Sequence, residues 1–166
     1  MKQFSEYPPS RRALLVLSSG LLIGYIPVAS GTFATLLAIA LLYPLQSLNV
    51  ARFPSGLIFA ALVVGAIAAA IALSHLAERT YGEKDSHKIV VDEIVGLFVA
   101  MTFVPFHWPQ VVAVFLLFRL FDVVKPPPIR RLQSLPGGWG VVADDILAGL
   151  YACLIVHALM ALKVFG

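Results

Sequence analysis

Four long apolar stretches decide what this chain can fold into. They cover residues 13–48, 56–76, 89–121 and 146–165, which is most of the 166-residue sequence. About 20 consecutive apolar residues are enough for a helix to span a bilayer. Only 13% of the residues are charged, whereas a soluble domain has about 25%. The sequence therefore predicts an all-α integral membrane protein.

Helix-breaking residues divide the first apolar stretch into two parts. The segment 26–32, IPVASGT, contains Pro27 and Gly31, and neither residue favours a helix interior. A threonine can cap the helix that follows it, so we expect Thr32 to cap a helix that begins at Phe33. The part before the break is short, and we expect it to lie in the membrane interface or to re-enter the membrane.

The third apolar stretch is broken at residues 105–109, PFHWP, and should form a hairpin of two helices. Irregular backbone belongs at the membrane surface or inside protein, because lipid offers it no hydrogen bonds. The expected fold is an all-α, polytopic membrane bundle of about four to five membrane helices after a short N-terminal helix. Residues 1–12 should form a polar cytoplasmic tail, and residues 13–166 a single membrane-embedded catalytic domain.

Basic residues orient this bundle, because Lys and Arg favour the cytoplasmic side of a membrane protein. With the N-terminus in the cytoplasm, ten of the twelve Lys and Arg residues fall on the cytoplasmic side, and only Arg52 and Lys163 fall outside. The polar connector 78–88 and the charged segment 118–131 then both face the cytoplasm. The net charge of +3 is modest, and we expect no nucleic-acid partner. The sequence indicates no oligomeric state.

The same topology gathers acidic residues at the cytoplasmic ends of helices. Asp92 and Glu93 open one arm of the hairpin, Asp122 closes the other arm, and Asp144 and Asp145 open the last helix. Carboxylates inside a membrane segment are costly and usually functional. One acidic pair could be an interfacial anchor or a helix cap, but two pairs and a fifth acid on one side favour a shared site.

A glycine follows each acidic pair about one helical turn later. These glycines are Gly96 and Gly149. Small residues allow membrane helices to approach closely. We therefore expect the two helices that carry the acidic pairs to approach each other at these glycines.

Carboxylates that lie close together repel each other, so a shared site requires cations. Mg²⁺ binds oxygen ligands and suits one or two carboxylates together with a substrate phosphate. The acidic residues therefore predict a pocket for a metal and an anion at the membrane surface. The candidate metal ligands are Asp92, Glu93, Asp122, Asp144 and Asp145. The candidate catalytic residues are Asp92, Glu93, Asp122 and Asp145.

Residues 118–131, FRLFDVVKPPPIRR, supply cations for this pocket. Asp122 and Lys125 are three residues apart and share a helix face, and Pro126 should end the helix at about Lys125. The carbonyl groups at a helix C-terminus favour a cation there. Arg119 and Lys125 are therefore the candidate ligands of a substrate phosphate.

Two further residues are candidate substrate ligands. The prolines 126–128 should run extended along the interface and place Arg130 beside the lipid headgroups. Thr32 is the second: residues 30–32 should lie on the cytoplasmic side near the acidic cluster and expose backbone N–H groups to phosphate.

Other phosphatase chemistries fit the sequence less well. The single cysteine, Cys153, has no arginine after it at the spacing of a cysteine phosphatase. No D-x-D-x-T motif occurs, and the four histidines lack the spacing of metal ligands. GGWG at residues 137–140 is too short for a phosphate-binding loop and is more typical of a hinge or lid.

Three motifs in register resemble the phosphatidylglycerophosphatase A family. They are IVVDEIVG at residues 89–96, FRLFDVVKPPPI at 118–129 and GGWGVVADDILAG at 137–149. An earlier family motif departs at residues 27–36, PVASGTFATL, where three of the usual residues are replaced. The departure leaves the role of that turn undefined.

The resemblance implies an Mg²⁺-dependent lipid phosphatase of bacterial phospholipid synthesis. It would be a multi-pass protein of the cytoplasmic (inner) membrane with its active site on the cytoplasmic face. It would hydrolyse phosphatidylglycerophosphate to phosphatidylglycerol and phosphate, with membrane lipids as its other partners. Which carboxylate holds metal, and which activates water or attacks phosphorus, does not follow from the sequence.

Two other interpretations remain open. A cation transporter could use intramembrane carboxylates, although it has no need for Arg119 and Lys125 among them. Another lipid-headgroup phosphohydrolase or phosphotransferase would also use acids and Mg²⁺, but the signature of the lipid phosphotransferases is absent.

Overall fold

The computed structural model describes residues 4–48 and 55–165, and these residues are all-α, with no β-strand among them. Short 3₁₀ segments occur at Phe4–Glu6, Ile23–Tyr25 and Tyr43–Leu48. Arg52, expected outside the cytoplasm, falls beyond the described ranges. The α-helices in these ranges are α1 (Pro9–Ser18), α2 (Ser30–Leu42), α3 (Ser55–Tyr81), α4 (Val91–Ala100), α5 (Trp108–Val124), α6 (Ile129–Leu132) and α7 (Gly138–Ala161).

The N-terminal region differs from the expectation at both ends of α1. The helix begins at Pro9, inside the expected tail, because proline is well suited to a first helical turn, where its missing N–H is not needed. It ends at Ser18, and Gly20 then adopts a left-handed φ of 56°. Glycine takes this conformation without steric cost. The expected single short helix is therefore an α-helix, a turn and a separate 3₁₀ segment.

Helix α2 begins at Ser30, three residues before the expected start. Ala29 precedes it with a left-handed φ of 55°, and the Ala29 carbonyl accepts N–H bonds from Thr32 and Phe33 at 2.9 and 3.2 Å. No side chain caps this helix. The expectation that Thr32 is the cap is wrong, because Thr32 already lies inside the first turn.

The hairpin of α4 and α5 has the expected break, but the break is longer. Pro109 lies in the first turn of α5, as a proline can. Helix α4 ends at Ala100, because Met101 and Thr102 close its last turn through bonds to Leu97 and Val99. Helix α7 begins at Gly138, so it includes most of the GGWG segment that was interpreted as a hinge or lid.

Helix α4 occupies the centre of the molecule, where it packs against α2, α3, α5 and α7. Its closest partner is α7. A Cβ atom at Gly149 would collide with the carbonyl oxygen of Gly96, and one at Gly96 would lie 2.9 Å from the carbonyl oxygen of Asp145. The expected close approach at Gly96 and Gly149 is confirmed, and it brings the two acidic pairs together.

By length and composition, α3 and α7 could cross a membrane. Only 22% of the apolar part of α3 is buried inside the protein, so large side chains such as Leu62 and Val64 face outward. Large apolar surfaces of this kind mark contact with a membrane or a partner. Membrane association is therefore consistent with the fold, while the count of four to five membrane helices remains a prediction.

Candidate active site

Three carboxylates meet between the first turn of α4 and the N-terminal half of α7. Asp92, Glu93 and Asp145 each place one oxygen within 4.8 Å of the others. Asp92 and Asp145 are buried, at 8% and 3% exposure. The contact of α4 with α7 at their glycines produces this cluster, which was expected from the positions of the two acidic pairs.

A second group of charges adjoins this cluster at the end of α5. Arg119 Nη1 donates to Asp122 Oδ2 at 2.7 Å. Lys125 Nζ donates to Asp144 Oδ2 at 2.5 Å and lies 3.7 Å from Asp122 Oδ1. Asp122 also lies beside Asp145, which connects the two groups. All five expected acids and both expected phosphate ligands therefore lie in one site.

Lys125 lies where the helix ends, as the following proline predicted. Helix α5 ends at Val124, and Lys125 adopts a left-handed φ of 46°. Burial alone would lower the pKa of Lys125, but the hydrogen bond and the charge of Asp144 outweigh this effect and raise it. The ammonium group is therefore charged at neutral pH.

The N-terminus of α2 also reaches the site. A Cβ atom at Gly31 would collide with Glu93 Oε1 and would lie 2.9 Å from Arg119 Nη1. Only glycine leaves room for the Glu93 carboxylate and the Arg119 guanidinium at this position. Gly31 is therefore a site residue, although the sequence indicated only that it lies in a turn. Thr32 follows it, but its N–H is bonded to Ala29 and is not free for a phosphate.

Arg130 is not part of this charge network. It lies on α6 and is exposed, and it forms no ion pair within the described residues. The prolines before it do not run extended as expected. They form a turn in which Ile129 N–H donates to the Pro126 carbonyl at 2.8 Å, because α6 begins immediately after them.

Asp85 is a further acid near the site that the sequence did not single out. Partial burial raises the pKa of Asp85, and the negative charge of Asp144 raises it further, while Lys125 lowers it. The connector between α3 and α4 therefore brings one more carboxylate towards Lys125. Its sequence neighbours are polar, so no local signal marked it.

The buried carboxylate oxygens are incompletely satisfied. Asp92 Oδ1, Glu93 Oε2 and Asp144 Oδ1 are buried and have no hydrogen-bond partner among the residues that the structure describes. Leaving such groups unsatisfied costs about 1–3 kcal/mol each, and more for charged groups. Oxygen ligands at this spacing suit a hard divalent cation. Asp92, Glu93 and Asp145 could hold such a cation, with Arg119 and Lys125 nearby for an anion.

The fold and the charges together define an all-α protein with a cluster of carboxylates beside two cations. The chain matches the family model of Phosphatidylglycerophosphatase A over residues 16–160. It is 31% identical over 144 residues to phosphatidylglycerophosphatase A of Escherichia coli, covering 86% of this chain and 80% of that protein. The chain belongs to the phosphatidylglycerophosphatase A family, and it is a phosphatase.

Two further relatives differ in coverage and in description. A protein of Bacteroides thetaiotaomicron described as "Putative phosphatidylinositol-3-phosphatase" is 36% identical over 149 residues, covering 86% of this chain and 90% of that protein. Phosphatidylglycerophosphatase A of Haemophilus influenzae is 42% identical over 80 residues, covering 47% and 49%. No solved structure significantly matches the chain.

Proposed function

We propose that the protein hydrolyses phosphatidylglycerophosphate to phosphatidylglycerol and phosphate. The observation that carries this proposal is the meeting of Asp92, Glu93 and Asp145 beside the cations Arg119 and Lys125. The family match and the two relatives named phosphatidylglycerophosphatase A support this substrate.

We propose Mg²⁺ as the cofactor, held by Asp92, Glu93 and Asp145. The buried oxygens without partners among the described residues support this assignment. The charge balance supports it as well, because five carboxylates and two cations leave an excess of three negative charges if all are ionised. Asp122 and Asp144 lie at the edge of the cluster and remain candidate ligands. A bound Mg²⁺ supplies positive charge that polarises a phosphoryl oxygen.

The cations Arg119 and Lys125 bind the substrate phosphate in this proposal. Both are held at one place by Asp122, which pairs with Arg119 and lies near Lys125. Such fixed donors stabilise the charge of a phosphoryl transition state without reorganisation. Asp122 thereby positions two phosphate ligands, and it also lies beside Asp145.

The hydrolysis itself forms one bond and breaks another. A water oxygen bonds to phosphorus, the ester bond between phosphorus and the glycerol oxygen breaks, and that oxygen takes up a proton. One of the candidate catalytic carboxylates accepts the proton of the attacking water. The candidates are Asp92, Glu93, Asp122 and Asp145.

We propose that four to five helices lie in the bacterial cytoplasmic membrane, with the site on the cytoplasmic face. The excess of basic residues on that side supports this orientation. Helices α2, α4 and α5 are short for membrane spans, so the bilayer must be thin around them or their polar ends must lie inside it.

An apolar groove between α2 and α5 supports a lipid substrate. It has a volume of about 530 Å³ and is lined by residues that include Leu36, Ala40, Trp108 and Val112. The same two helices bring Gly31 and Arg119 together at the acidic site. A lipid whose phosphate lies at that site could place an acyl chain in this groove.

A second substrate is favoured by one specific observation. The relative from Bacteroides thetaiotaomicron, which is matched over 90% of its length, is described as acting on a phosphatidylinositol phosphate. A phosphoinositide carries the same phosphomonoester on a different alcohol. The acidic site would serve either lipid, and the choice would depend on contacts to the alcohol.

The proposed function is tested by phosphate release from the purified chain in detergent. Phosphatidylglycerophosphate and phosphatidylinositol 3-phosphate are compared with and without Mg²⁺. We expect faster release from phosphatidylglycerophosphate, and only when Mg²⁺ is present. Faster release from the phosphoinositide would favour the second substrate, and release from neither would contradict both.

A further inference from the structure

A buried lysine outside the acidic site has no carboxylate partner within residues 4–48 and 55–165. Lys88 is only 9% exposed, although it lies in the polar connector before α4. Its Nζ atom lies 5.4 Å from the ring centre of Tyr25 and 5.2 Å from that of Tyr81. The two hydroxyl groups are 3.0 Å apart, so the rings form one wall. The ammonium group is held by ring faces.

The charge of Lys88 is therefore only partly compensated. No ion pair joins it to a carboxylate in the part of the chain that the structure describes. Contact with an aromatic face contributes about 0.5–2 kcal/mol, which is less than the several kcal/mol lost when an ammonium group leaves water. Buried lysines are normally paired. An external anion would supply the missing charge.

Lys88 lines a cavity that could hold such an anion. The cavity has a volume of about 260 Å³ and lies at the end of α3. Arg79, which is exposed and unpaired with any described carboxylate, adds a second positive charge to its wall. Glu83 is the only acid among the lining residues, and its Oε2 atom accepts a bond from Ser86. The lining residues are Tyr7, Arg79, Thr80, Tyr81, Gly82, Glu83 and Lys88.

The backbone around Lys88 is fixed, so the cavity is a built feature. A Cβ atom at Gly24 would collide with the Lys88 carbonyl oxygen, which shows how closely the two segments pack. Two residues later, Val90 N–H donates to the Ser18 carbonyl at 3.0 Å. Tyr7 also packs edge-on against Tyr81, with ring centres 6.2 Å apart. The N-terminal segment thereby covers the connector.

We propose that this cavity, here called the Lys88 pocket, is a second phosphate-binding site, separate from the acidic site. A lysine and an arginine that line one cavity suit a tetrahedral oxyanion with several acceptor oxygens. The phosphate belongs either to the headgroup of an anionic lipid or to free inorganic phosphate. The pocket contains no cluster of carboxylates, so it binds the anion without a metal and without hydrolysis.

Binding is measured with the purified full chain in detergent, by calorimetric titration. The probes are inorganic phosphate and short-chain phosphatidylglycerol, with short-chain phosphatidylcholine as the zwitterionic control. All variants also carry Lys125→Ala, so that phosphate held at the acidic site contributes less. Lys88→Gln should weaken binding of at least one anionic probe roughly 10–100-fold, because the variant loses one charge-assisted hydrogen bond to the anion. Phosphatidylcholine binding should not change.

The matched control is Lys84→Gln, which removes an exposed lysine of the same connector that does not line the pocket. It should leave binding of both anions within about twofold of its parent. Loss of phosphate binding alone identifies free phosphate as the ligand, and loss of phosphatidylglycerol binding identifies a lipid headgroup. Equal binding by the Lys88→Gln and Lys84→Gln variants overturns the proposal.

Arg79→Gln provides a second test if Lys88→Gln does not fold. Arg79 is exposed, so its replacement should fold, and it should weaken anion binding about two- to tenfold. Unchanged binding in that variant would also overturn the proposal. In the presence of Lys125, Lys88→Gln should keep lipid phosphatase turnover within about twofold. Anion binding at the Lys88 pocket and lipid phosphatase turnover are therefore measured independently, and either one can fail without the other.

Discussion

Lys125 and Lys88 lie in two regions of the same protein and have opposite surroundings. Lys125 contacts Asp144 and Asp122 and belongs to a site with more acids than cations. Lys88 lies over two tyrosine rings, and it lines the Lys88 pocket together with Arg79. The first lysine is surrounded by excess negative charge, and the positive charge of the second is only partly compensated.

This difference separates two ways of binding phosphate. In the acidic site, an anion approaches carboxylates, so repulsion must first be offset by a cation. In the Lys88 pocket, Lys88 and Arg79 supply positive charge themselves, so no metal ion is needed. The acidic site should therefore depend strongly on a metal and support chemistry, whereas the Lys88 pocket should bind an anion and leave it intact.

The largest expected effect follows from removing a carboxylate of the acidic cluster. Asp145→Asn keeps the shape of the side chain but removes a charge at the meeting point of α4 and α7. We expect turnover to fall by at least about 10³-fold, more than the loss of a single charge-stabilising donor. Phosphate release at saturating substrate measures this change. Turnover within tenfold of wild type would place the chemistry elsewhere.

Replacement of each lysine tests the comparison directly. Lys125→Ala should lower turnover on the order of 10²–10³-fold, because it removes a donor to the transition-state charge. Lys88→Ala should lower it about twofold or less, since the Lys88 pocket does not touch the reacting phosphate. Steady-state kinetics of the two purified variants decide between these outcomes. Similar losses in both variants would contradict the separation of the two regions.

A smaller effect is expected where α2 meets the acidic site. Gly31→Ala introduces a Cβ atom that would collide with Glu93 and crowd Arg119. Displacing these groups should reduce turnover roughly 10–100-fold, the scale expected when a reacting geometry shifts by about 1 Å. Gly65→Ala is the matched control, because a Cβ atom there meets nothing within 4 Å. Equal activity of the two variants would show that Gly31 is not constrained by the site.

The smallest effect concerns the apolar groove between α2 and α5. Ala40→Trp should fill part of the groove and raise KM for a long-chain substrate several-fold, because burial of roughly one methylene group is lost, at about 0.8 kcal/mol. The KM for a short-chain substrate should stay unchanged. Ala61→Trp, on the exposed face of α3, is the control. An equal rise for both chain lengths would argue against an acyl chain in this groove.

The acidic site was predictable because its signals are local in the sequence. Asp92 and Glu93 precede Gly96 by one turn, as Asp144 and Asp145 precede Gly149, and these spacings fix which helices meet. The end of α5 at Lys125 followed from Pro126 alone. Each of these features depends on residues within a few positions of one another.

The missed features depend on contacts between distant segments. The start of α2 was misplaced because Ala29 adopts a left-handed conformation that the sequence does not favour. Lys88 was counted only as a cytoplasmic charge. Its burial requires Tyr25 from the N-terminal region and Tyr81 from α3 to meet over the connector. No periodicity or spacing in the sequence predicts that meeting.

Metal-dependent phosphate release tests the central claim most directly. Wild-type protein is purified in detergent, freed of metal with a chelator, and assayed on phosphatidylglycerophosphate as Mg²⁺ is restored; Asp92→Asn is assayed in parallel. We predict that release by the wild type is lost with the chelator and recovered with Mg²⁺, while Asp92→Asn stays at least about 10³-fold slower at every Mg²⁺ concentration. Full wild-type activity in the chelator, or normal activity of Asp92→Asn, would contradict an acidic metal site as the centre of this enzyme.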